Sequence, residues 1–431
     1  MATTAFTGGE SVSRARGPRL DDGFGWPGRI AFAVALVGGL LYAAYGIWSD
    51  TGAVGESVAT GTLVFLGLAL LLALGFEFVN GFHDTANAVA TVIYTRSMTA
   101  PVAVVWSGFW NFMGVILSTG AVAYSIIALL PVDLILNVGS GAGFAMIFAL
   151  LIAAIGWNLA TWYVGLPNSS SHALIGSILG VGLANQLIAG GTAGTAGVDW
   201  SQAQKVLTGL LLAPVIGFIG AVVVFRVLKL IARDPALYRE PDTDAPPPLG
   251  IRALLIGTCT AVSFAHGGND GQKGMGLIML ILIGCAPTAY ALNRTESAAA
   301  GPAFVQTAAA AEGVFERRAD GLTLPLDQAR GVLTEGLRAR RADDPRTFAA
   351  LDAVTESVRG TVAGAGQLAR VSAAQTGPLR NDMYLLGDTT KYLASGKGPA
   401  ELDDAELAAV ADWQNTLQGS TRYIPDWVKL A

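Results

Sequence analysis

Charge is what this sequence has least of. Only 14% of its 431 residues are Asp, Glu, Lys or Arg, against roughly a quarter in soluble domains, which excludes an ordinary water-soluble globule. Cysteine is nearly absent. Cys259 and Cys285 both lie in apolar stretches without ligand-like spacing, so they read as buried, inert thiols rather than a disulfide or a metal site. No basic cluster with interleaved aromatics occurs, so no nucleic-acid partner is expected. The net charge of −5 says little about partners, because most charge sits in the first 30 residues and in a late polar block.

Apolar residues take the place of charge. They make up 52% of the chain, mean hydropathy is +0.50, and several runs reach the roughly 20 residues a bilayer-spanning helix needs. The expected fold class is an all-α, polytopic membrane protein. Candidate segments are Ile30–Trp48, Gly61–Val79, Val102–Leu130, Gly143–Leu166, Ala173–Ala189, Val206–Ile231, Leu249–Ala265 and Gly274–Leu292. The 54 glycines suit close helix packing and interrupted helices inside a membrane. Residues 1–29 form a polar tail, too far from the first apolar run for a cleaved signal peptide.

Arg14, Arg16, Arg19 and Arg29 precede the first span, and the segment after it is acidic. The positive-inside rule therefore places the N-terminus in the cytoplasm. Counting onward puts Arg96, Arg226, Lys229, Arg233, Arg239 and Arg252 inside as well, provided Ala173–Ala189 crosses and Thr85–Tyr94 does not. A broken or re-entrant helix is expected over Thr85–Tyr94. From 293 to 422 the chain turns polar with helical spacing, which predicts a mainly helical insert. Its side of the membrane is open: a full crossing by Gly274–Leu292 would put it in the cytoplasm. Residues 423–431 read as the start of a further membrane helix.

An internal repeat organises these segments. "FVNGFHDTANAVATVIYTRSMTAP" and "FAHGGNDGQKGMGLIMLILIGCAP" place Asp84 and Asp270 186 positions apart, as they do Pro101 and Pro287. By the charge count the helix before Asp84 runs inward and the helix before Asp270 runs outward. The repeat is thus inverted, covering 30–231 and resuming at 249–292. Secondary transporters are often built this way around a midplane site.

Three polar interruptions carry the candidate chemistry. Asp84 and Asp270 suit a coupling cation or an exchanged proton, since ionisable groups at membrane depth are costly and usually functional. Asn80, Asn87 and Asn269 offer amide ligands. Lys273 sits one turn beyond Asn269 and Asp270, and is either an anion contact or the partner in a buried ion pair. In "GLPNSSSH", Pro167 ends a helix, and Ser169, Ser170 and Ser171 lie where the next begins. Free N–H groups and hydroxyls there suit a tetrahedral oxyanion, although serines are also ordinary N-caps. The chain's three histidines, His83, His172 and His266, fall one in each interruption, able to shuttle protons or to hold backbone carbonyls. No residues show the spacing of a resident metal site.

At these residues the chain resembles the inorganic phosphate transporter family, its bacterial low-affinity branch above all. "NGFHDTANAVATVIYTR" and "FAHGGNDGQKGMG" are similar to the two family signatures, and "GLPNSSSH" to a Pro-x-Ser-Thr-Thr-His element. The resemblance implies inorganic phosphate as partner, carried through the lipid bilayer of the cytoplasmic membrane by cation symport. It carries over Asp84, Asn87, Asn269 and Asp270 as substrate and ion-site positions, and Ser169, Ser170 and Ser171 as phosphate contacts. On the residues alone, Thr91 and Lys273 join the expected substrate positions, and Asn80, His83, His172 and His266 join Asp84 and Asp270 as expected ion-coupling positions. No cofactor is implied. The coupling cation is a proton in that branch, with phosphate often travelling as a neutral divalent-metal complex. Lys273 stands where sodium-coupled members carry Asn, and a fixed ammonium disfavours sodium nearby.

The second copy stops at "TRYIPDWVKLA", so roughly 70–120 residues of the repeat are expected beyond it. A homo-oligomer is compatible with the sequence. Two other readings stay open: a non-transporting remnant or phosphate sensor, and a membrane-embedded, metal-dependent hydrolase using His83 and Asp84.

Overall fold

The computed structural model describes residues 25–56, 58–127, 129–130, 132–188, 200–238, 245–297, 299–339, 341–396 and 398–430. The polar tail up to Phe24 lies outside these, as do Arg239, Ala189 and Ala431. Among the described residues the elements are helical. The membrane part comprises α1 (Trp26–Ala53), α2 (Thr60–Tyr94), α3 (Ala100–Ile116), α4 (Ala121–Ile127), α5 (Val132–Leu136), α6 (Gly141–Val164), α7 (Ser170–Ile188), α8 (Trp200–Ile231) and α9 (Leu249–Cys285). A short α10 (Pro287–Tyr290) leads into α11 (Ala300–Arg318), α12 (Leu326–Arg338), α13 (Thr347–Ala365), α14 (Ala373–Ala394) and α15 (Asp404–Thr421). Then comes α16 (Asp426–Leu430), whose Trp427 is buried and donates to Asp50 of α1 at 2.7 Å. Among the described residues, six helices, α1, α2, α6, α7, α8 and α9, are long and apolar enough to cross a membrane. The all-α, polytopic expectation holds.

Three expected segments fold differently. The polar stretch after Val79 does not break its helix: α2 runs unbroken for 35 residues, about 52 Å at 1.5 Å per residue. Likewise Leu249–Ala265 and Gly274–Leu292 are not two spans, because α9 is continuous for 37 residues through "HGGNDGQKG". An unbroken helix satisfies its own backbone, so only side chains need partners at depth. Val102–Leu130, by contrast, is not one helix. It ends at Ile116, and Gly120 turns the chain with φ +79° before α4.

The glycines that suggested a break serve packing instead. A Cβ on Gly267 would collide with the backbone of Asn111, and one on Gly114 with the carbonyl of Phe264. The α3 and α9 backbones therefore touch, the small-residue packing that membranes favour. Buried Ser107 and Ser263 add a 2.9 Å hydrogen bond across the same seam, and Trp106 donates to Thr260 at 2.8 Å.

The inverted orientation is visible in the contacts between α2 and α9. Gly274 lies against Glu77, His266 against Asp84, and Arg252 donates to the carbonyl of Ser97 at 2.7 Å. Advancing along α2 means retreating along α9, so the two repeat helices are antiparallel. Because α9 crosses once, the chain beyond Cys285 emerges at the end opposite Arg252. There Glu56, from the α1–α2 loop, accepts hydrogen bonds from the Thr288 and Ala289 amides. Arg96 and Arg252 belong to the other end, where Arg252 reaches Ser97. With those arginines expected inside by the positive-inside rule, the polar helices are expected at the outer end.

The polar insert has its own core. Trp413 is fully buried, edge-on to Phe304 at 5.1 Å, among Leu351, Val354, Leu386 and Val410. Arg294 latches it to the membrane part by donating to the carbonyls of Thr288, Ala369 and Val371 and to Thr376. Facing acids leave one weak point. Burial, then Glu312, Glu316 and Glu356, push the Asp352 carboxyl up to about 6. A raised folded-state value stabilises below the unfolded value near 4 and loses that contribution as pH rises through 6. Asp352→Asn should therefore match the parent's melting temperature at pH 4 and exceed it at pH 7. Thermal unfolding across that range checks this, and a gap independent of pH would refute it.

Candidate functional site

The polar residues of α2 form a stripe. Glu77, Asn80, Asp84, Asn87 and Thr91 recur at three- and four-residue steps, one face of a continuous helix. On α9 the same logic aligns His266, Asn269, Asp270 and Lys273. Where the helices cross, His266 Nε2 comes within 3.9 Å of the Asp84 carboxylate and 3.5 Å of Asp270. Lys273 Nζ sits 2.9 Å from Asp270 and donates to Ser171 Oγ at 2.6 Å. The lysine is 3% exposed and the aspartates 13% and 18%.

The third interruption is a true chain break. The α6 helix ends at Val164, Gly165 takes φ +72°, a left-handed conformation that only glycine adopts cheaply, and α7 opens at Ser170. Ser169 caps α7: its hydroxyl faces the His172 amide at 3.4 Å and the ring Nδ1 at 2.6 Å. The Ser170 hydroxyl is buried without a partner. The linker is pinned to α6, because Asn168 bonds both Asn158 and the Trp157 indole. His83 reaches the Asn158 carbonyl at 2.8 Å, so α2 is tied to this corner.

Of the sequence-derived positions, the fold gathers Asp84, His266, Asp270, Lys273 and Ser171 into one cluster. Ser169 and Ser170 stand beside it at the start of α7. His83 and His172 turn to local partners, and Asn80 donates to Glu77 at 3.3 Å. Asn269 donates to its own helix at Ala265, and Asn87 and Thr91 are exposed on α2.

Three participants escaped the sequence reading. Glu77, half-buried, packs against Gly274 behind the cluster, and its three-residue spacing from Asn80 was the available signal. Asn158, a lone amide in an apolar run, gave no signal at all. The metal-ligating set also went unread: ligand atoms of Asp84, His266 and Asp270 all lie within 4.8 Å of one another. These residues belong to different repeats, so sequence spacing could not show them together.

The cluster's charge is asymmetric. Two carboxylates face one ammonium, leaving one excess negative charge if His266 is neutral. Two carboxylate oxygens and an imidazole suit a small divalent cation. A few ångströms away, Lys273 and the serine hydroxyls at the head of a 19-residue helix suit an oxyanion. The groups suited to a cation and those suited to an oxyanion thus adjoin through Asp270 and Lys273.

Residues 80–355, which include the whole of this cluster, match the model of the phosphate transporter family. The chain belongs to the phosphate transporter family. It is similar to the low-affinity inorganic phosphate transporter PitB of Escherichia coli K12, 37% identical over 401 residues, 88% of this chain and 77% of that protein. PitA of the same organism is 47% identical over 252 residues, 56% of this chain and 49% of PitA. A probable low-affinity inorganic phosphate transporter of Bacillus subtilis is 38% identical over 221 residues, 51% of this chain and 61% of the relative. The chain spans about half the length of PitA and its like. No solved structure matches it. The family and these relatives are transporters, not enzymes, so the hydrolase reading falls.

Proposed function

We propose that this phosphate transporter family member takes up inorganic phosphate across the cytoplasmic membrane of a bacterium by proton-coupled symport, with phosphate entering as a neutral complex with a divalent cation. The observation that carries this reading is the convergence of Asp84, His266 and Asp270 on one point, with Lys273 joining Asp270 to Ser171. Asp84, Asp270 and His266 hold the metal end of the cargo. Lys273, Ser169, Ser170, Ser171 and the α7 amides receive the phosphate oxygens. Metal and phosphate neutralise one another, which lowers the cost of taking either into an apolar site. Lys273 stands where the sodium-coupled pattern has an Asn, which supports a proton as the coupling ion.

Labelled phosphate uptake into proteoliposomes, with pH, sodium and magnesium varied separately, tests this. Uptake is expected to follow the proton gradient and to need the divalent cation. Asp84→Asn is expected to reduce it to background. Uptake that follows sodium, or that survives both Asp84→Asn and Asp270→Asn, would overturn the assignment.

A further inference from the structure

A second cluster of anion-binding groups lies far from Asp84, between the polar insert and the outer ends of the membrane helices. It surrounds a cavity of about 110 Å³, room for about three or four waters at ~30 Å³ each. Arg380 of α14 reaches into it although the residue is only 9% exposed. Its Nη1 donates to the Ile135 carbonyl and, at 3.2 Å, to Asn381. The guanidinium also lies 6.0 Å from the centre of the Tyr384 ring. A guanidinium has five N–H donors, more than these acceptors use. Burial pushes its pKa down to about 10, which leaves it charged at neutral pH.

Two further groups line the same space. Arg422, just past α15, stacks over the Tyr124 ring at 5.5 Å. The Tyr124 hydroxyl, on α4, is buried and has no hydrogen-bond partner. Asp388 is the acid in the lining, so two arginines against one carboxylate leave the cavity net positive. A buried hydroxyl with no partner and a buried guanidinium with more donors than acceptors are costly arrangements. One acceptor-only, tetrahedral group would satisfy both.

We propose that this cavity is a second oxyanion site, which takes a phosphate group and thereby clamps the polar insert onto α4. The phosphate comes either from free inorganic phosphate outside the membrane or from an anionic lipid headgroup at the outer surface. The site stands on its own donors and does not depend on the transport reading. In the first case it reports external phosphate to the transporter, and in the second it seats the insert on lipid.

The test uses the full chain carrying Asp270→Asn together with Lys273→Met, in phosphatidylcholine nanodiscs with EDTA, so that the metal-assisted site is silent and neither buried charge is stranded. Equilibrium binding of labelled phosphate is expected to saturate at one equivalent. Tyr124→Phe, which keeps the ring, should weaken it roughly tenfold, and Arg380→Gln roughly a hundredfold. Suppression of binding in discs containing phosphatidylglycerol identifies the headgroup as the occupant, and its persistence there identifies free phosphate. If labelled phosphate does not bind in phosphatidylcholine, native mass spectrometry should find phosphatidylglycerol retained by the parent and lost from Tyr124→Phe. Failure of both measurements, or binding indifferent to Tyr124→Phe, overturns the proposal.

Discussion

Lys273→Met is expected to lower phosphate uptake at least a hundredfold while leaving some folded protein in the membrane. The lysine is 3% exposed, 2.9 Å from Asp270 and 2.6 Å from the Ser171 hydroxyl. Removing one partner of a buried ion pair costs about 3–5 kcal/mol, because the other charge is stranded. At about 1.4 kcal/mol per decade that is at least two decades in any equilibrium the pair controls. Asp270→Asn strands the ammonium in the same way. Combining Asp270→Asn with Lys273→Met removes both charges, so protein yield and melting temperature should recover. Uptake should not, since one of the proposed metal ligands and one of the proposed phosphate donors are both gone. Labelled uptake and thermal stability measured together separate the two effects. A Lys273→Met chain that transports normally would show that the pair is only scaffold.

A second large effect is expected from two glycines that the repeat places in equivalent positions. Gly81 and Gly267 are 186 residues apart, like the two aspartates. Gly81 has open space where a Cβ would go, whereas at Gly267 a Cβ would strike the Asn111 backbone. Gly81→Ala should therefore stabilise α2 by about 0.5–1 kcal/mol, the helix preference of alanine over glycine. Gly267→Ala should cost about 3 kcal/mol or more, because a backbone, unlike a side-chain tip, cannot swing aside. If both glycines marked broken helices, the two substitutions would act alike. Melting temperatures of the purified variants decide between these outcomes.

The same pair shows what the sequence made legible. Apolar run lengths disclosed the membrane class, and the Asp84–Asp270 repeat disclosed which acids correspond, though not that they meet. The charge count also anticipated that α2 and α9 oppose one another. What it could not separate is a glycine that bends a helix from one that lets another helix approach. Both look like Gly beside polar residues, and only Asn111 and Gly114, more than 150 positions away, distinguish them. Spacing along α2 carried more than was drawn from it. The steps from Glu77 to Thr91 already follow one helical face, which a break would interrupt. The hydrogen bond of His83 was hidden for a different reason: it depends on how α2 packs against α6, which carries Asn158 75 positions away.

Because α2 and the turn after it meet α9 at three levels, Glu77 to Gly274, Asp84 to His266 and Ser97 to Arg252, the two repeats are spliced along a length rather than pinned at a point. Sliding one helix past the other by a single turn, about 5.4 Å, would part all three pairs together. The acids of the two repeats therefore keep their register only while the whole splice holds.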